Sequence, residues 1–322
     1  MKKLTSLFLA AAAIALPMIA RAADRSAMVK ETYDYAVKDG DTLRLDVYYN
    51  PTVPYEGKRP IIIFSFGGGW EAGTRADGGG SYTPFLNTMT DYGYVTVGID
   101  YRLGYLKSRK TGKVEDISIC QSLITRQMDH NIYKNVYDAI AQGVEDLYDA
   151  TSYMVENADR WCADPECIVI GGISAGGVNS ITAENLSANG DPMAKKHLPE
   201  GFRYAGVLSG CGAIWHDLDK PVSWKRMPCP TMFIHGDSDR IVPYDQWTWA
   251  EHGFRIDGGS SLASFYRDNN LPYMLVSGTG GDHDFGGIAF ARNQDLINLF
   301  IDNFVVNKRQ AAIEMVETPL KK

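Results

Sequence analysis

Two segments near the start of the chain alternate between apolar and polar residues, as antiparallel strands do. Thr32–Val37 and Leu43–Tyr49 show this alternation, and the turn-forming residues 38–41 separate them, which predicts a hairpin. The runs that follow are continuously apolar and bounded by turn residues, which is typical of strands buried on both faces. These runs are Pro60–Phe66, Tyr94–Ile99, Cys167–Gly171, Tyr204–Leu208, Thr231–Ile234 and Pro272–Val276.

Helical periodicity occurs between the apolar runs. Apolar residues in segment 136–154 recur every three or four positions, and Ile288–Phe304 repeats the pattern near the end of the chain. A hairpin followed by alternating strands and helices predicts an α/β fold, with a mostly parallel twisted sheet covered by helices on both faces. Since no linker or repeat divides the chain, we expect one domain over residues 23–322, with 306–322 as a loosely held tail.

The first 22 residues have the features of a secretory signal peptide. Lys2 and Lys3 precede a mostly apolar stretch from Leu4 to Ala20, and Ala20-Arg21-Ala22 fits a cleavage site between small residues. A membrane anchor is the alternative, but the stretch is short for a span and Pro17 interrupts it. No later segment approaches about 20 consecutive apolar residues. We therefore expect export to the bacterial periplasm or beyond, and no membrane attachment after cleavage.

The composition and charge of the chain limit the kinds of partner that it can bind. The chain has 322 residues, of which 45% are hydrophobic and 22% charged, which excludes a disordered or fibrous protein. Removal of residues 1–22, with their three cations, takes the formal net charge from −7 to −10. Such an acidic protein has no long-range attraction for a nucleic-acid backbone, so we expect neutral ligands.

The five cysteines leave two interpretations open. Cys162 and Cys167 flank a turn-like stretch, and an oxidising compartment permits a local disulfide between them. An odd number leaves at least one thiol free or paired between chains. The other interpretation is that all five are small buried apolar residues. None has the spacing of a metal site, so we expect no metal.

A Gly-x-Ser-x-Gly motif, Gly172 to Gly176, directly follows an apolar run. A serine on a tight turn between a buried strand and a helix has its hydroxyl exposed at the edge of the sheet, and glycines are needed because the turn leaves no space for side chains. Ser174 is therefore a candidate nucleophile. A simple glycine turn is the alternative interpretation.

A serine needs a base and an orienting acid to become nucleophilic. His283 lies in a glycine-rich loop after the last predicted strand, where the ring can reach the edge of the sheet, whereas His235 is expected to be structural. Asp237 and Asp239 both follow the run ending at Ile234. Either can be the acid, and the other is expected to cap a turn.

Three successive glycines follow the first buried run, in Phe66-Gly67-Gly68-Gly69-Trp70. Backbone N–H groups in such a loop can approach a ligand closely and hold the oxyanion formed during acyl transfer. A dinucleotide-binding loop is the rival interpretation, but its fingerprint is only approximate and no acid follows at the required distance.

These segments resemble α/β-hydrolase-fold esterases of the hormone-sensitive-lipase and bacterial feruloyl-esterase-like group, from about Tyr33 to Phe304. The resemblance rests on Ser174-Ala-Gly-Gly, on Asp100-Tyr-Arg-Leu, and on His235-Gly-x-x-Asp239-x-x-Val-Pro, which selects Asp239 as the acid. The order Ser174, Asp239, His283 is the one this fold uses. Phe66 departs from the group's usual His-Gly-Gly-Gly, so only packing of its ring can hold the loop.

The resemblance implies a serine carboxylesterase with a Ser174–His283–Asp239 triad and no metal or organic cofactor. The backbone N–H groups of Gly68, Gly69 and Ala175 would stabilise the oxyanion. Tryptophans on the longer loops present flat apolar faces that suit sugar rings or hydroxycinnamoyl groups. The candidate substrate-binding residues are Trp70, Trp215 and Trp247.

The expected substrate is a short-chain or hydroxycinnamoyl ester, acetyl or feruloyl, carried by a small molecule or a plant polysaccharide. A serine peptidase of the same fold and a non-catalytic ligand-binding homologue are the alternatives. A peptidase often needs an acidic pair for the amino terminus of a peptide, and none is identifiable in the sequence.

Overall fold

The computed structural model describes residues 24–76, 82–114 and 117–318. The predicted signal peptide therefore lies outside the described residues. Within the described ranges, no helix combines the length and the apolar character needed to cross a bilayer.

A nine-stranded mixed sheet forms the centre of the molecule, in the order β1-β2-β4-β3-β5-β6-β8-β11-β12. β2 runs antiparallel to both of its neighbours, β1 and β4, as the predicted hairpin requires, and the other neighbouring strands of this sheet pair in parallel. The strands of this sheet are β1 (Val29–Lys38), β2 (Asp41–Tyr49), β3 (Arg59–Ser65), β4 (Val95–Ile99), β5 (Ala163–Ile173), β6 (Gly206–Gly210), β8 (Thr231–Gly236), β11 (Tyr273–Gly278) and β12 (Ala312–Glu317).

A second, three-stranded antiparallel sheet consists of β7 (Ile214–Asp217), β9 (Gln246–Trp249) and β10 (Phe254–Asp257). The helices are α1 (Tyr82–Asp91), α2 (Gly104–Lys110), α3 (Ile119–Thr125), α4 (His130–Asn157), α5 (Ala175–Asn189), α6 (Pro192–His197), α7 (Gly259–Asp268), α8 (Asp284–Arg292) and α9 (Gln294–Phe300). Short 3₁₀ turns occupy Arg25–Ala27 and Ala158–Trp161, and a π-helical turn, Ile301–Val306, continues α9.

Both faces of the central sheet are buried. Along β3, Ile61 and Ile63 belong to one apolar cluster, which includes the inner face of α4. Ile62 and Phe64 belong to the other, where the Phe64 ring lies 5.4 Å from Phe85 of α1. Since alternate residues of a strand point to opposite faces, a continuous apolar run is what this position requires. The predicted α/β-hydrolase architecture is confirmed.

The C-terminal segment differs from the sequence-based expectation. The expected loose tail at 306–322 is wrong for Ala312–Glu317, which pairs in parallel with β11 at the edge of the sheet. Its side chains are mostly exposed, so its apolar pattern is weak, and the backbone ladder supplies the order instead. The helix predicted over Ile288–Phe304 is interrupted at Asn293, between α8 and α9.

The cysteines also correct one expectation. All five are free thiols, so the local bridge between Cys162 and Cys167 is not formed. Burial raises the pKa of the Cys167 thiol to about 11, which keeps it in the unreactive protonated form at neutral pH. Cys211 and Cys229 are buried, as the alternative interpretation expected.

Candidate active site

Ser174 occupies a strained turn between β5 and α5. Its backbone has φ 55° and ψ −121°, a conformation that costs a residue with a side chain free energy, and its N–H donates to the carbonyl of Gly210 at 2.7 Å. A Cβ atom on Gly172 would lie 2.4 Å from the carbonyl carbon of Gly176, and one on Gly176 would lie 2.1 Å from the carbonyl oxygen of Ser65. Only glycine fits at both positions, as the tight strand-to-helix turn of a nucleophile elbow requires, and the role of Ser174 as the nucleophile stays a prediction.

The structure brings the three predicted triad side chains together. His283 Nε2 lies 2.8 Å from Ser174 Oγ, and His283 Nδ1 lies 2.7 Å from Asp239 Oδ2. His283 immediately precedes α8, and Asp239 lies on the loop after β8, so three separate strand ends supply the three groups. This chain of hydrogen bonds has the geometry by which a serine proton passes to an imidazole.

Asp239 is held as a carboxylate. Its Oδ1 accepts hydrogen bonds from the backbone N–H groups of Ile241 at 2.8 Å and Val242 at 3.0 Å. Burial opposes ionisation, but hydrogen bonds from His235 and His283 outweigh it and lower the pKa of Asp239. The acid that orients His283 is therefore ionised over the whole neutral range.

Asp237 has a different environment. It is exposed, and its Oδ1 accepts hydrogen bonds from the backbone N–H of Gly280 at 2.7 Å and from the hydroxyl of Ser238 at 3.0 Å. These contacts make it a turn-capping residue, as the sequence expected for one of the two aspartates.

His235 has a closer relation to the site than the sequence indicated. The ring is 1% exposed, and its Nδ1 accepts a hydrogen bond from the backbone N–H of Gly259 at 3.3 Å. The proton is thereby assigned to Nε2, which donates to the carbonyl of Val242 at 3.0 Å and lies 3.3 Å from Asp239 Oδ2. Asp239 thus lies between two imidazoles, and His235 is structural in the sense that it positions this carboxylate.

A buried group of possible metal-binding type adjoins the triad. Donor atoms of Cys211, His235 and Asp239 lie within 4.8 Å of one another. Cys211 donates to the carbonyl of His283 at 3.4 Å, and burial raises the pKa of its thiol, which opposes the thiolate that a metal requires. Since the histidine and the aspartate are also engaged in hydrogen bonds, these residues do not fit a metal ion, and we assign none.

The glycine loop lies beside the nucleophile. A Cβ atom on Gly67 would be 3.3 Å from Ser174 Cβ, and Gly68 and Gly69 have φ values of +119° and +62°. No described residue accepts a hydrogen bond from the backbone N–H of Gly68, Gly69 or Ala175. These three donors are the predicted oxyanion-binding groups, and that role stays a prediction.

Packing of Phe66 replaces the missing histidine in holding this loop. The Phe66 ring stacks on Tyr101 with centroids 4.2 Å apart, and the Tyr101 hydroxyl donates to the Phe66 carbonyl at 2.9 Å. Farther along, Glu71 accepts hydrogen bonds from Arg109 at 2.6 Å and from the backbone N–H of Ile119 at 3.2 Å. The last contact joins the loop to the start of α3, a support that the sequence did not reveal.

The tryptophans correct part of the sequence-based site. Trp70 is 3% exposed and donates from Nε1 to Asn179 Oδ1 at 3.0 Å, so it fixes the loop and offers no face to a substrate. Trp215 is 5% exposed and stacks on Tyr133, so its expected role as a flat substrate platform is also wrong. Trp247 is 40% exposed, with the Arg126 guanidinium 4.2 Å from its ring centroid, and remains a candidate substrate contact.

A small depression adjoins the triad. It has a volume of about 210 Å³ and is lined by His283 together with Ile124, Arg240, Ile241 and two flanking aspartates. This is below the roughly 300–1,000 Å³ of typical ligand pockets.

Comparison with known proteins supports the fold. Residues 45–130 match the BD-FAE family, a segment that includes the glycine loop and the strand ending before Asp100. Over 105 residues the chain is 34% identical to the non-reducing polyketide synthase ausA of Penicillium brasilianum. That alignment covers 32% of this chain but only 4% of that much longer protein.

Solved esterases share the whole fold. Esterase Est2 of Thermogutta terrifontis with bound propionate has a TM-score of 0.59 at 18% sequence identity, covering 87% of this chain and 96% of that one. The native form of Est2 gives 0.58 at 19%, covering 88% and 94%. The same esterase phosphoramylated by tabun gives 0.56 at 18%, covering 85% and 94%. The chain therefore has the α/β-hydrolase fold, and its residues 45–130 are similar to the BD-FAE family.

Proposed function

We propose that this protein is an exported serine carboxylesterase that hydrolyses short-chain or hydroxycinnamoyl esters through an acyl-enzyme on Ser174. The observation that carries the proposal is the continuous hydrogen-bonded chain from Ser174 through His283 to Asp239, with distances of 2.8 and 2.7 Å. It lies beside a loop whose backbone N–H groups are available to a ligand.

The proposed reaction uses this geometry in two steps. His283 Nε2 takes the proton of Ser174 as Oγ forms a bond to the ester carbonyl carbon. The carbonyl oxygen becomes an oxyanion, which the N–H groups of Gly68, Gly69 and Ala175 stabilise. When the bond from carbon to the alcohol oxygen breaks, His283 protonates the departing alcohol and leaves the acyl group on Ser174.

Water completes the cycle by the same route. His283 removes a proton from a water molecule whose oxygen attacks the acyl carbon, and it then returns that proton to Ser174 Oγ as the acid departs. Throughout, the carboxylate of Asp239 accepts from Nδ1–H and stabilises the imidazolium that forms twice per turnover.

The compared structures support a small acyl group. Structures of the similar Thermogutta terrifontis Est2 have been solved with propionate and butyrate bound, which are acids of the short-chain class. For a polysaccharide substrate, the support is the N-terminal signal-peptide pattern and the exposed Trp247.

The test compares wild type with Ser174→Ala on acetyl, butyryl and feruloyl model esters and on an aminoacyl amide. We expect ester hydrolysis by the wild type, and a loss of about 10³-fold or more in kcat for the variant, because the nucleophile is removed. Equal rates for the two proteins would exclude the serine mechanism. Faster cleavage of the amide than of the esters would favour the serine peptidase.

The carrier of the acyl group is tested separately, by release of acetate and ferulate from arabinoxylan. Release by the wild type and none by Ser174→Ala is the expected result. Hydrolysis of small esters without any release from arabinoxylan would restrict the proposal to small-molecule substrates.

A further inference from the structure

A second cavity lies along α5, away from the triad. It has a volume of about 440 Å³, within the range of small-molecule sites, and opens between the first turns of α4, the second half of α5 and β7. Tyr133 and Tyr137 contribute from α4, Thr182 and Asn185 from α5, and Trp215 from β7. We call it the distal cavity. None of these residues takes part in the proposed mechanism.

Two polar atoms of the lining have no hydrogen-bond partner among the described residues. They are the indole Nε1 of Trp215 and the hydroxyl of Thr182, and both atoms are shielded from solvent. The Trp215 side chain is 5% exposed, so its N–H is a buried donor without an acceptor. Native proteins satisfy nearly all such groups through protein atoms, ordered water or a ligand. A ligand with hydroxyl groups would satisfy both atoms, since a hydroxyl donates and accepts.

The cavity also has a rigid aromatic wall. The Tyr133 ring stacks on Phe254 with centroids 3.9 Å apart and on Trp215 at 6.3 Å, while its hydroxyl donates to Asp217 Oδ1 at 3.0 Å. Tyr137 stands next to it with 47% of its surface exposed. An exposed aromatic ring beside buried hydroxyl and N–H donors matches a sugar ring, which has an apolar C–H face and hydroxyl groups at its edge.

The charges of the wall favour a neutral ligand. Asp217 is paired with Lys220 at 3.0 Å, and His216 Nε2 lies 3.0 Å from Asp257 Oδ2. Lys134 is the other lysine of the lining, and it is exposed to solvent. The buried part of the cavity therefore presents aromatic rings and neutral hydrogen-bonding groups, and no unpaired buried charge to which an anion would bind.

The distal cavity is lined by residues of α5, the helix that begins directly after Ser174. Thr182 and Asn185 follow Ser174 on α5 by eight and eleven residues, which places them about 12 and 16 Å farther along the helix axis. Gly210, whose carbonyl accepts the Ser174 N–H, comes shortly before β7, which carries Trp215. A carbohydrate chain held in the distal cavity would have to extend back along α5, over more than one sugar unit, to place an ester at Ser174.

We infer that the distal cavity is a carbohydrate-binding subsite, which holds neutral sugar units of a polysaccharide while an ester farther along that chain reacts at Ser174. The assignment of the polysaccharide rests on the proposed function. Binding of a free oligosaccharide does not require the reaction.

The test uses Ser174→Ala protein and neutral xylose, glucose and mannose hexasaccharides, followed by titration calorimetry and by the indole N–H resonances of ¹⁵N-labelled tryptophan. We expect at least one hexasaccharide to bind and to shift the resonance that Trp215→Phe removes. Tyr137→Ala and Thr182→Val are each expected to weaken binding by about fivefold or more. Tyr153→Ala, at the far end of the same helix, is the matched control and should change the affinity by less than about twofold.

The outcomes separate the two proposals. If no hexasaccharide shifts the Trp215 resonance at about 10 mM, the subsite is refuted, whatever the esterase assays show. If binding occurs but Tyr137→Ala and Thr182→Val bind as tightly as Tyr153→Ala does, the sugar binds elsewhere and the inference is equally wrong. Oligosaccharide binding together with absent ester hydrolysis by Ser174-containing protein would leave the subsite standing and overturn the esterase.

Discussion

Replacement of Asp239 by asparagine tests the triad through one atom. The Oδ1 atom of Asp239 accepts two backbone N–H groups, at 2.8 and 3.0 Å, while Oδ2 accepts from His283. An asparagine amide must keep its oxygen at the Oδ1 position, because an NH₂ group there would face two donors. The NH₂ group then takes the Oδ2 position and donates to His283 Nδ1.

That reversal places the histidine proton on the wrong nitrogen. If Nδ1 accepts, the neutral imidazole carries its proton on Nε2, which then has no lone pair for the proton of Ser174. The developing imidazolium also loses its counter-charge. We expect Asp239→Asn to lower kcat by about 10³–10⁴-fold, which is the loss expected when a triad histidine is held in the wrong tautomer.

The control is Asp237→Asn, two residues earlier. Asp237 is exposed and caps the N–H of Gly280 through one oxygen, a contact that an asparagine oxygen preserves. Its kcat should stay within about threefold of wild type. The assay is steady-state hydrolysis of 4-nitrophenyl acetate, with thermal unfolding to verify that both variants fold. A folded Asp239→Asn protein with more than a tenth of wild-type activity, or the reverse ranking of the two variants, would refute this reasoning.

Three further predictions concern the glycine loop, the positioning of Asp239 and a group of ion pairs on α4. Gly68→Ala should lower kcat by about 10²-fold or more, because Gly68 has φ +119° and a Cβ there would lie 2.1 Å from a backbone oxygen. The control Gly40→Ala, at a position with φ +88° and no neighbour within 4 Å, should leave kcat near the wild-type value. Similar rates for the two variants would contradict the oxyanion role. His235→Phe should lower the unfolding free energy by about 1–3 kcal/mol, since the Val242 carbonyl and the Gly259 N–H lose their partner. It should also lower kcat more than it changes KM. Chemical denaturation and steady-state kinetics measure these effects, and wild-type values in both would exclude a positioning role. Burial opposes ionisation of Glu145, but Lys38 and Arg102 outweigh it and lower the pKa of this carboxyl to about 2. Its stabilising contribution is therefore present above about pH 4.5 and is lost as the pH falls towards 2. The melting temperature of Glu145→Gln should fall less than that of wild type over this interval, and equal falls for the two proteins would contradict the prediction.

The sequence predicted the triad because each member follows a recognisable strand. Ser174 lies between an apolar run and a helix, and the resemblance of the segment from His235 to Asp239 to the esterase family selected one of two neighbouring aspartates. These features are local, so a single chain without its contacts reveals them. In the structure, His283 lies 2.8 Å from Ser174 and 2.7 Å from Asp239.

The supports of the site were not predictable in the same way. Contacts between residues 35 to 109 positions apart in the chain hold the glycine loop. They are made by Tyr101, by Asn179 and, at the start of α3, by the Ile119 N–H that donates to Glu71. Trp70 is a predicted substrate contact because it follows the glycine loop and has a flat aromatic face, yet its backbone has φ 55° and its side chain is buried in the core. Which side of a loop a ring occupies is decided by tertiary packing, to which composition and spacing give no access.

The central claim is that Ser174 is the nucleophile, and covalent trapping measures it directly. Thermogutta terrifontis Est2 has been obtained phosphorylated by paraoxon, so the same reagent is a suitable probe here. After incubation with paraoxon, peptide mass spectrometry should find one diethylphosphoryl group on the peptide containing Ser174, with loss of esterase activity in proportion, and no adduct on Ser174→Ala protein. An inactivated enzyme with the phosphoryl group on another residue, or undiminished activity with Ser174 fully modified, would contradict the account.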